Sequence, residues 1–94
     1  MLTDHQIRAA VLLKLYKRGC WGGSHTAFDN LKKGFKVAEL GKRGLRRVDA
    51  AGRQLIREGM LLPKPTHYGL QVSLNPRMHE AIISIIRRHF PEFE

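Results

Sequence analysis

The chain has 94 residues, 43% of them hydrophobic and 27% charged, and 17 Lys and Arg stand against 8 Asp and Glu for a formal charge of +9. That length and composition fit one folded domain with a modest core, and argue against both a disordered chain and a separate catalytic domain. The positive excess draws polyanions, so nucleic acid is the expected partner and an anionic membrane surface its main competitor.

Thr3 followed by Gln6 has the form of a capping box and predicts a helix over about residues 4–18. Ile7, Ala10, Val11 and Leu15 give it an apolar face, Leu12, Leu13 and Tyr16 widen that face, and Gly19 ends the helix. Cys20 to Gly23 is short and glycine-rich, suited to a brief strand or a turn. A second, shorter helix is expected through Ala27, Phe28, Leu31 and Lys33, capped by Ser24 or Thr26 and stopped by Gly34. Phe35 to Gly41 reads as a connection in which Val37, Ala38 and Leu40 are candidates for the core.

A third helix is predicted from about residue 42 to 58. Leu45, Val48, Gly52, Leu55 and Ile56 fall on one stripe of it, and Arg43, Arg46, Arg47, Ala50, Arg53, Gln54 and Arg57 on the other side. Gly52 costs helix stability of ~1 kcal/mol relative to Ala, which is understandable if another element approaches closely there. Met60 to Leu62 reads as a strand, Pro63 to His67 as a loop, and Tyr68 to Leu74 as a return strand whose Leu70, Val72 and Leu74 face inward while Gln71 and Ser73 face outward. Asn75 and Pro76 are a cap and first helical residue for a last helix over about 76–90. Met78, Ala81, Ile82, Ile85, Ile86 and His89 form its apolar side.

The charge is concentrated. Between Lys32 and Arg57 nine basic residues, Lys32, Lys33, Lys36, Lys42, Arg43, Arg46, Arg47, Arg53 and Arg57, oppose only Glu39 and Asp49, so nine minus two places +7 of the +9 there. Arginine bonds a guanine edge or a phosphate through two nitrogens, glutamine pairs similarly with adenine, and a small residue such as Ala50 lets a helix approach the groove floor. Arg43, Arg46, Arg47 and Arg53 are therefore expected as groove or phosphate contacts with Gln54 beside them, and Arg57 is expected on a phosphate or in solvent. Lys32, Lys33 and Lys36 are expected on flanking phosphates, and Lys64, Thr66 and His67 on a hairpin loop reaching an adjacent groove or backbone.

Other chemistry finds little support. Ser24, His25 and Asp29 are too close in sequence for a triad. Cys20 and His25 fall short of the four ligands of a structural zinc site, and Gly22-Gly23 matches neither phosphate-binding glycine pattern. No catalytic residues, metal or cofactor are expected. No apolar run approaches the ~20 residues that cross a bilayer. Met1 to His5 lacks the features of a signal peptide, and Cys20 is the only cysteine, so a cytoplasmic chain without a disulfide is expected.

The order of helix, short strand, two helices, hairpin and helix is that of a winged helix-turn-helix with an added C-terminal helix. Ala51 to Leu61 resembles the end of a winged-helix recognition helix running into its first wing strand, and Tyr68 to Pro76 resembles the return strand. With Thr26 to Phe35, residues 4–76 resemble the small archaeal winged-helix proteins. The resemblance implies a DNA-binding domain, mainly α with a β-hairpin wing, and a transcription regulator is the first functional expectation. Duplex DNA is favoured over RNA on that ground alone. A ribosome-associated or structured-RNA-binding protein, or an interaction module of a nucleic-acid machine, stays open. The isoleucine-rich last helix suits either a homodimer seam or packing on its own domain.

Overall fold

The computed structural model describes residues 1–93. The Thr3 capping box forms as expected: the Thr3 hydroxyl accepts from the Gln6 amide at 3.1 Å, and the Gln6 side chain accepts from the Thr3 amide at 2.8 Å. It starts α1 (Asp4–Lys17), whose Ile7, Ala9, Val11, Leu12 and Leu15 are buried. Helix α1 packs against the long helix α3 (Arg46–Arg57), the last helix α4 (His79–His89) and the central strand of the sheet.

The second predicted helix is replaced. Thr26 and Ala27 form strand β1, a 3-10 helix follows over Phe28–Lys32, and a single turn, α2 (Val37–Leu40), occupies the expected connection. The ladder explains the difference, because β1 pairs Thr26 with Val72 and Ala27 with Gln71. Thr26 caps no helix; its hydroxyl accepts from the Asn30 side chain at 2.9 Å. Of the three core candidates in the connection only Leu40 is buried, and Val37 and Ala38 are exposed.

Helix α3 starts later than predicted. Residues 42–45 form turns between Gly41 and Gly44, whose φ angles of +76° and +55° lie in the left-handed region that interrupts a helix. Lys42 and Arg43 are therefore on the lead-in, and Leu45 is exposed. Val48, Ala51, Gly52 and Leu55 form the buried side.

The hairpin is also longer in strand than predicted. Strand β2 (Leu61–Thr66) runs through both prolines and pairs with β3 (Gly69–Leu74) about a turn of only His67 and Tyr68. A two-residue turn makes Thr66↔Gly69 a hydrogen-bonded pair, and alternation then puts the bonded positions at Lys64 and Leu62. Pro63 and Pro65 fall between them, where their missing N–H groups would have faced away from β3. The sheet order β1-β3-β2 leaves β2 at the edge, so the prolines cost no ladder bond and deny the edge to another strand. Val72, Ser73 and Leu74 are all buried, so β3 is covered on both faces at this end, and Ser73 does not face solvent.

Asn75 caps as predicted, accepting from the Arg77 amide at 3.0 Å, but the first turn, Pro76–Met78, is 3-10 before α4 begins. Ile82, Ile83 and Ile86 are buried, and α4 packs on α1 of its own chain. Among the described residues α4 exposes no large hydrophobic side chain. No helix is long and apolar enough to cross a membrane among those residues.

At Gly52 an added Cβ would lie 2.8 Å from Cε1 and 2.9 Å from Cζ of Phe28, and 3.1 Å from a Leu31 methyl. Gly52→Ala should therefore destabilise the fold by up to about 2 kcal/mol in urea unfolding, overpacking outweighing the ~1 kcal/mol gained in helix propensity. A stabilised variant would show that the 3-10 helix gives way.

Candidate nucleic-acid interface

With Val48, Ala51 and Leu55 inward, the 3.6-residue period turns Arg46, Ala50, Arg53 and Arg57 outward along one stripe of α3. All four are exposed. Arg43 is exposed on the lead-in, and among the described residues neither it nor Arg46, Arg53 or Arg57 lies in a salt bridge. Arg53 holds its guanidinium 5.3 Å from the Phe28 ring centroid, a cation–π contact that leaves its hydrogen-bond donors free.

Beside the stripe, α1 and α3 enclose a cleft of about 750 Å³. Asp4 and Arg8 line it from α1; Arg43, Arg46, Arg47, Ala50, Gln54 and Arg57 line it from the α3 side. Arg8 is absent from the sequence-based set because it sits in the apolar run of α1. It ion-pairs with Glu58, and its Nε is buried with no hydrogen-bond partner among the described residues. Glu58 accepts from the Gln54 side chain at 3.0 Å, and the Gln54 carbonyl accepts from Arg57 at 2.8 Å. The Gln54 amide is thus already held at both ends.

No protein-family model, curated protein or solved structure matches this chain.

Several predicted contacts are occupied within the fold. Arg47 is only 15% exposed; it donates to the Leu40 carbonyl at 3.1 Å and to Asp4 at 2.7 Å, tying α3 to α2 and to the start of α1. Its hydrogen bond and charge, with smaller help from His5 and Arg43, hold the Asp4 carboxyl below its ordinary 3.8. That contribution to stability is present above pH 3.8 and is lost as pH falls through the lowered value. Lys32 lies 3.4 Å from Asp49 and 3.8 Å from Asp29, joining the 3-10 helix to α3. Thr66 closes the hairpin, donating to the Gly69 carbonyl at 2.7 Å and accepting from the Tyr68 amide at 3.2 Å.

Lys33, Lys36, Lys42, Lys64 and His67 are exposed. Lys14, missed in the sequence, braces the region: its ammonium donates to the Asn30 and Lys33 carbonyls, and burial, then Arg18 and Lys33, push its pKa below 10.5. The sequence also gave no reason to single out Tyr68, which stands 95% exposed at the hairpin tip.

The two adjacent arginines should separate in a melting experiment. Arg47→Ala should lower the melting temperature, since the Leu40 carbonyl alone loses a partner worth about 1 kcal/mol. Arg46→Ala should leave it unchanged. Equal melting of the two variants would mean that the Arg47 bonds brace nothing.

Proposed function

We propose that the chain is a winged helix-turn-helix domain that binds duplex DNA, with α3 as the recognition helix and the β2–β3 hairpin as the wing, and that it serves as a DNA-binding regulator. The observation that carries this reading is the stripe of Arg46, Arg53 and Arg57 around the small Ala50, exposed and without acidic partners among the described residues. The element order α1-β1-α2-α3-β2-β3 and the sheet order β1-β3-β2 support the fold assignment.

On this reading the roles divide by what each side chain already touches. Arg46 and Arg53 are the base-edge and phosphate readers, because neither gives up an intramolecular ion pair on binding. Ala50 between them lets the helix axis approach the bases. Arg43 and Lys42 on the lead-in, and Lys33 and Lys36 before it, supply flanking phosphate contacts. Gln54 can read adenine only by exchanging its bonds to Glu58 and Arg57 for the base edge, so it contributes less than an unengaged glutamine would. Arg47 and Lys32 act through the fold, holding α3 at its angle.

Replacing Arg46 and Arg57 together with Ala should weaken binding to a random-sequence duplex and flatten its salt dependence by about 0.9 in log–log slope for each lost phosphate contact. Fluorescence anisotropy across a salt series measures both. Unchanged affinity and slope in that variant would contradict α3 as the binding face, and preference for a folded RNA over the duplex would move the target class.

A further inference from the structure

We infer that the hairpin tip is a stacking platform for an unpaired base, and hence that the preferred DNA is a duplex ending in a single-stranded extension. The inference deepens the reading of α3 as a duplex-binding helix and rests on it.

The tip is aromatic where a groove-reading wing would be cationic. The minor groove of an intact duplex displays acceptors and is read by arginine and lysine donors. From Leu61 to Leu74 the hairpin carries a single permanent cation, Lys64, and no acidic residue. Its most prominent group is instead Tyr68, 95% exposed. A tyrosine ring has little to bond on a groove floor, but it has a face on which any base can stack.

The tip is also held in place. Thr66 bonds both to the Tyr68 amide and to the Gly69 carbonyl across the turn. Pro63 and Pro65 fix φ at two positions of β2, which stiffens the arm that carries the ring. His67 and Tyr68 lie nearly perpendicular, at 75° with centroids 6.2 Å apart, so the two rings do not stack on each other. Lys64, on the same arm, can meet the phosphate of the nucleotide whose base is displaced. A base inside an intact helix is already stacked on two neighbours, and only an unpaired one offers a free face.

The test compares three DNAs of shared sequence, a blunt duplex, the duplex with a short single-stranded extension, and the single strand alone, against the full chain. The extended duplex should bind about tenfold more tightly than the blunt one, in line with the contribution of one base–aromatic stack. Tyr68→Ala should abolish that preference, so that the two duplexes bind equally, and Tyr68→Phe should retain it. Arg46→Ala should weaken both duplexes equally. Equal affinity for the two duplexes, or a preference that survives Tyr68→Ala, would overturn the stacking site and leave the α3 reading intact. Tightest binding to the single strand alone, or no binding to either duplex, would overturn both.

Discussion

The arrangement of the basic face depends on one close approach, that of Gly52 on α3 to the ring of Phe28. A side chain at position 52 would collide with Phe28 and Leu31, so the glycine sets how deeply the 3-10 helix seats against α3. The seat fixes the rotation of α3 about its own axis: Val48, Ala51 and Leu55 turn inward, and the arginine stripe turns out. The same Phe28 ring then receives Arg53 from the exposed side. One residue pair thus links the packing of the core to the presentation of the charge.

The basic residues divide into those that join elements of the fold and those it leaves exposed without an ion pair among the described residues. Arg47, Lys32 and Lys14 each join two elements, and together they fasten α3, α2, the 3-10 helix and α1 around the lead-in. Arg8 closes on Glu58 at the other end of α3. These bonds fix the helix at both ends without using the stripe between them. Such a division suits a rigid recognition element, because a helix held by its own contacts loses little freedom on binding.

Periodicity carried the long elements. The α1 capping box, the Val48–Leu55 stripe, the Asn75 cap and the return strand were all legible, since each depends on neighbours within a few residues. The region from Thr26 to Leu45 was not. Thr26 and Ala27 are claimed by a distant partner, β3, Val37 and Ala38 stay exposed, and glycines at 41 and 44 delay α3. The prolines of β2 misled for a related reason: they exclude an interior strand but permit an edge, and sheet order cannot be read from local sequence. Of the candidate site, the stripe was legible because charge and period coincide there. The bracing role of Arg47 was not, because its partners Asp4 and Leu40 lie outside the helix, and Tyr68 read as the first residue of the return strand although it sits in the turn.

We propose that the outward face of α3 meets duplex DNA. Amide shift mapping of the isotope-labelled protein during titration with a short duplex tests it directly. The largest changes should fall on Arg43, Arg46, Ala50 and Arg53, with α4 unaffected. Changes centred on α4 with a silent α3 would contradict it.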